Sequence, residues 1–173
     1  MMTLQRRYPV AIAVAACLVC SPALTQSATE RHVWQEKRKY EPYSRTAESI
    51  TGAIRLSGNP DFASPGSKMT ITFGNGKNVD LTSLGASWRQ WDETDKKKAT
   101  AEVFKISRDP GALKNGNTLC GDLTSGPAQY IVFLEKSSFG DSPLLGMAVF
   151  GSKKAPHDIN SQGLCGTFNY STD

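Results

Sequence analysis

The chain has 173 residues, close to the length of one ordinary domain, and its 39% hydrophobic and 21% charged residues exclude a compositionally disordered chain. The formal charge is +4. Setting aside the first segment with Arg6 and Arg7 leaves 18 Lys and Arg against 16 Asp and Glu, a charge of +2, too weak a basic footprint for nucleic acid.

Residues 1–23 read as a removable secretory signal. Arg6 and Arg7 give a positive start, Val10 to Cys20 is an unbroken apolar run of 11, and Ser21-Pro22-Ala23 supplies small residues for cleavage between 23 and 28. A membrane-spanning helix needs roughly 20 apolar residues, so no integral membrane segment is expected after removal. Val14-Ala15-Ala16-Cys17 also resembles a lipobox, and a lipoprotein anchored at Cys17 is the alternative. Periplasmic or secreted residence follows from the signal.

Residues 24–47 read as a flexible charged arm. Glu30 to Arg45 mixes both charge signs and has no repeated apolar face; Trp34, Tyr40 and Tyr43 stand isolated.

Residues 48–173 read as the folded domain. Ile50, Gly52, Ile54 and Leu56 alternate with Thr51, Ala53 and Arg55, as do Met69, Ile71 and Phe73 with Lys68, Thr70 and Thr72. Asn75-Gly76 is a hairpin signal, and residues 77–81 make the return strand with Val79 and Leu81 inward. Leu84 to Trp91 shows no clear strand period, and Trp88 and Trp91, three apart, are compatible with a helical turn; 92–98 reads as a charged loop. Residues 99–107 resume as a strand, with Val103 placed inward and Glu102 and Phe104 on the other face. Tyr130 to Leu134 and Leu144 to Phe150 are continuous apolar runs, expected as strands buried on both faces. Residues 153–162 form a polar loop, and Phe168 and Tyr170 share one face of the last strand. Seven to eight strands at hairpin spacing, with no helical period between them, predict an all-β fold: one antiparallel β-barrel or sandwich. The full inward set is Ile54, Met69, Ile71, Phe73, Val103, Ile131, Phe133, Leu145, Met147, Val149 and Phe168.

Once the signal is removed, Cys17 and Cys20 go with it and Cys120 and Cys165 remain. Two cysteines in an exported domain most simply form one disulfide; a free nucleophile or metal ligand is the alternative. The only histidines are His32 and His157. Without a Gly-x-Ser-x-Gly turn or metal-ligand spacing, the sequence predicts no catalytic residue, no metal and no cofactor. Asp92-Glu93-Asp95 beside Lys96-Lys97-Lys98 reads as a self-neutralising solvated turn. Asn75-Gly76-Lys77 lacks the rest of a P-loop.

Several short segments resemble a group of small uncharacterised exported proteins of Gram-negative bacteria. They are Ile50-Thr51-Gly52, Ile71-Thr72-Phe73, Asn75-Gly76-Lys77, Leu119-Cys120-Gly121, Tyr130-Ile131-Val132, Ala148-Val149-Phe150-Gly151 and Cys165-Gly166-Thr167-Phe168. The resemblance implies location and fold rather than chemistry. More distantly, the one-disulfide β-domain is similar in style to periplasmic lysozyme inhibitors, without their inhibitory loop. The expected function is a non-enzymatic binding or envelope-associated module, inhibitor-like in one form, with a protein or envelope component as partner. The alternative is a hydrolase with a site near His157 and Asp158.

Overall fold

The computed structural model describes residues 31–36, 38–58, 61, 64–121, 126–137 and 142–172. The expected signal (1–23) and the lipobox cysteine Cys17 lie outside the described residues. Eight strands close into a barrel: β1 (Lys39–Pro42), β2 (Ile54–Gly58), β3 (Lys68–Thr72), β4 (Asn78–Arg89), β5 (Ala99–Ile106), β6 (Tyr130–Lys136), β7 (Leu144–Phe150) and β8 (Leu164–Ser171). Each strand pairs antiparallel with the next, and β8 returns to β1 through Glu41↔Ser171 and Pro42↔Tyr170. Of the two expected architectures the barrel forms, which leaves no open sheet edge. Helix among the described residues is limited to single turns: 3-10 at Val33–Gln35 and Lys114–Gly116, and a π turn at Ala47–Thr51.

The alternation of apolar residues sets the lumen. Ile54, Met69, Ile71, Phe133, Met147 and Phe168 belong to one buried cluster inside the barrel. The apolar runs of β6 and β7 are buried on both faces because a second core lies outside them. There Trp91 and Ile159, from the loops after β4 and β7, cover Ala101, Val132, Leu134, Ala148 and Phe150. Trp91 meets Phe150 edge-on, with ring centroids 6.5 Å apart. The expected disulfide forms between Cys120 and Cys165, 45 residues apart, and ties the segment before β6 to the start of β8.

Four expectations are corrected. The charged arm (24–47) is not flexible in its described part: Trp34 and Tyr40 are 1% and 0% exposed, and Lys39–Pro42 is the strand that closes the barrel. Isolated aromatics can each fill a lumen without making a periodic face. Val103 lies in the outer cluster, while Phe104 and Glu102 face the lumen; β5 is apolar on both faces, so alternation alone does not choose between them. Leu84 to Trp91 is no helical turn, since β4 runs on to Arg89 past a bulge between Ser83 and Gly85. Residues 48–53 are not strand: Thr51 bonds back to the Ala47 carbonyl through its hydroxyl, and Gly52 turns the chain at φ 63° before β2.

One end of the barrel is closed by the Ala47–Thr51 turn, the β3–β4 hairpin and the loop carrying Lys114. Gly74 N–H donates to the Thr51 carbonyl at 3.0 Å, and the Asn117 side-chain amide to the Ser49 carbonyl at 3.0 Å. The other end is closed by residues 32–36.

Candidate functional site

A barrel of eight strands has a lumen that side chains can fill or that can hold one small ligand. Here the chain fills its own lumen. The Val33–Gln35 turn caps the mouth and sends the Trp34 indole inward, where its N–H donates to Glu102 Oε2 at 2.8 Å. The Ser83 hydroxyl donates to the other oxygen, Oε1. Ser83 and Glu102 are both buried, brought together because Ser83 is the last inward residue of β4 before the bulge. The Val33 N–H donates to Glu135 Oε1 at 2.8 Å, and His32 Nδ1 lies 3.3 Å from the same oxygen. The His32 ring stacks on Trp34 with centroids 4.6 Å apart. Tyr40 donates its hydroxyl to the Val33 carbonyl. Burial pushes that phenol up to about 12, against the lowering influence of Arg38. Each oxygen of Glu102 thus accepts a hydrogen bond from within the chain, and the residue is fully buried.

His157 and Asp158 do meet, and the fold adds a residue that sequence spacing did not mark. His157 Nε2 is 3.1 Å from Asp158 Oδ2, and His157 Nδ1 is 3.0 Å from Ser161 Oγ. Ser161 Oγ also accepts from the His157 and Asp158 backbone N–H groups at 3.0 and 3.2 Å. Those donors hold the loop, and the Ser161 hydroxyl itself donates to Asp158 Oδ1 at 3.3 Å. The imidazole is 77% exposed.

The acidic run 92–95 does not neutralise itself. Asp92 pairs with Lys136 of β6 at 3.0 Å, Glu93 accepts from the Thr167 hydroxyl at 3.2 Å, and Asp95 accepts from the Lys97 N–H. Burial alone would raise the Asp92 carboxyl; the Thr94 N–H, the Lys136 ammonium and the Thr94 hydroxyl together hold it below its usual range. Asn75-Gly76-Lys77 forms the hairpin turn, and Lys77 Nζ donates to the Pro110 and Ala112 carbonyls at 3.0 and 2.7 Å. Among the described residues no group of three His, Cys, Asp or Glu is placed to hold a metal ion, and no helix is long and apolar enough to cross a membrane.

Two large apolar side chains are exposed on β4 from the bulge onward. Leu84 is 44% and Trp88 60% exposed. Leu84, Arg89, Pro156 and His157 line a groove of about 300 Å³ between β4 and the loop after β7. The Trp88 side chain was not legible as a surface residue, because a tryptophan in a strand most often marks core. The chain matches no family model, and neither a curated protein nor a solved structure is significantly similar to it.

Proposed function

We propose that this chain is an exported, non-enzymatic binding domain that recognises a protein partner with its outer rim rather than with its lumen. The observation that carries the reading is the Trp34 indole seated on Glu102: the cavity in which such a barrel would hold a small ligand is filled by the chain itself. Leu84 and Trp88 are both exposed on β4 from the bulge onward, Arg89 lines the groove with Leu84, and Trp and Arg are enriched at interface hot spots. Inhibition of an envelope enzyme is one form this takes, with the rim occupying the partner's cleft. Export is supported by the N-terminal positive and apolar segments and by a disulfide, which cytosolic reductants oppose.

The test compares wild type with a Leu84→Ser, Trp88→Ala double variant as baits in envelope extract, each checked for an unchanged melting temperature. A protein held by wild type and released by the variant supports the reading. The same captured set on both baits overturns it. A second reading, a hydrolase, draws on the contacts of His157 with Asp158 and Ser161. Ester or amide hydrolysis by wild type that disappears in His157→Ala would favour it.

A further inference from the structure

The outer face of β1, β2 and β3 carries a charged row. Lys39 pairs directly with Arg55, and Arg55 with Thr72, so the three lie side by side across neighbouring strands. Like charges directly opposite each other on a sheet repel. Lys39 is relieved by Glu41 at 2.6 Å. Among the described residues Arg55 is in no ion pair, and neither is Lys114.

Lys39, Arg55, Thr72 and Lys114 line one cleft of about 470 Å³, together with Gly52 and Gly74, and no acidic residue among the described ones lines it. That volume is in the range of small-molecule sites. The two glycines let the backbone segments at its base approach closely: a Cβ on Gly74 would come within 3.3 Å of the Gly52 Cα and 3.0 Å of the Thr51 carbonyl oxygen. Lys114 is carried on a turn held in place, since the Asn115 and Asn117 side-chain amides both donate to the Ser49 carbonyl. Lys77, on the adjoining hairpin, is already engaged by two carbonyls of that loop and helps to fix it.

We propose that this cleft binds a phosphoryl group. Arg55 and Lys114, on separate segments and in no ion pair among the described residues, line it beside Lys39, whose charge Glu41 shares, and a dianion with several acceptor oxygens matches two such cations better than a single carboxylate. The Arg55 fork suits two of those oxygens, the Lys114 and Lys39 ammonium groups act as point charges, and the Thr72 hydroxyl is a further donor. The group belongs either to a soluble phosphate ester or to a phospholipid headgroup. The site stands apart from the Trp88 rim and does not depend on it.

Calorimetric titration of the purified protein with inorganic phosphate, against chloride at equal ionic strength, reads the site directly. Saturable binding is expected. Arg55→Gln with Lys114→Gln should weaken it about tenfold to a hundredfold, the worth of one or two charge-assisted contacts. Lys153→Gln with Lys154→Gln, in the loop after β7, should leave it unchanged. Arg55→Gln alone, on an exposed side chain, keeps the test valid if the double variant is unstable. Phosphate heats no larger than those of chloride, or equal affinity in the two double variants, overturn the proposal. Co-sedimentation with phosphatidylglycerol vesicles but not phosphatidylcholine, lost in the Arg55 variant, assigns the headgroup. Phosphate binding without vesicle binding assigns the soluble ester.

Discussion

Glu102 shows how a polar group can sit in an apolar barrel: each carboxyl oxygen has its own donor, Trp34 Nε1 and Ser83 Oγ. Removing a donor leaves a buried acceptor unmet, which costs more than the hydrogen bond contributes. Trp34→Phe keeps most of the ring and deletes the N–H, so it should destabilise by about 1–3 kcal/mol in urea unfolding. Trp34→Ala also opens a cavity and should cost about 3–5 kcal/mol. A Trp34→Phe variant as stable as wild type would mean that the indole N–H is not needed. The buried phenols make a second residue-level prediction. Burial raises Tyr40 to about 12 and raises Tyr170 as well, the latter partly offset by its bond to Thr51. Above the ordinary value of 10.0 the unfolded chain releases these protons while the native barrel keeps them. The unfolded state then binds fewer protons, so stability falls as pH rises through this window, by up to about 1.4 kcal/mol per pH unit for each phenol. Tyr40→Phe should flatten the alkaline slope of the denaturation midpoint; an unchanged slope would remove Tyr40 as a cause.

At the scale of elements, β1 decides whether the barrel is closed. It has four residues, one of them Pro42, and only Tyr40 of the four is buried. Deleting residues 24–46 removes Trp34 and Tyr40, each worth about 1.5–3 kcal/mol of burial, and exposes the edges of β2 and β8 to intermolecular pairing. The melting temperature should fall by about ten degrees or more, with aggregation on heating. A change of only a few degrees would show that the seven remaining strands stand alone. The same element marks the limit of what the sequence discloses. β3, β6, β7 and β8 were legible because alternation or a double-faced apolar run repeats several times within each. β1 was not, because one inward tyrosine in four residues makes no period, and the charges around it all point outward. β5 was legible as a strand but not in facing, since Phe104 and Val103 are equally apolar and Glu102 imitates a solvent-facing residue until Trp34 and Ser83 are seen beside it. Of the candidate sites, the contact of His157 with Asp158 follows from adjacency. Ser161, the exposure of Trp88 and the Lys39–Arg55–Lys114 cleft depend on loop paths and register that no local pattern encodes.

The whole molecule is two cores sharing the sheet of β5 to β7: the lumen within, and the cover of Trp91 and Ile159 without. The cross-link adds a covalent tie to the long β5–β6 excursion, which side-chain hydrogen bonds also hold. Cys120 ends the segment after β5, and Cys165 begins β8, which must pair with both β7 and β1 for closure. In the unfolded chain the bridge restricts a loop of 45 residues, a constraint worth about 4 kcal/mol by chain entropy. That is a large share of a small domain's stability, typically about 5–15 kcal/mol. The Cys120→Ser, Cys165→Ser variant should therefore keep its β-sheet dichroism in dilute buffer while its urea transition moves down by about 4 kcal/mol. The transition should also steepen, because an uncrosslinked unfolded chain exposes more surface. Reductant should produce the same shift in wild type and none in the variant. A loss below about 1 kcal/mol, at the low end of the range for such bridges, would show that the β-ladder fixes β8 without covalent help.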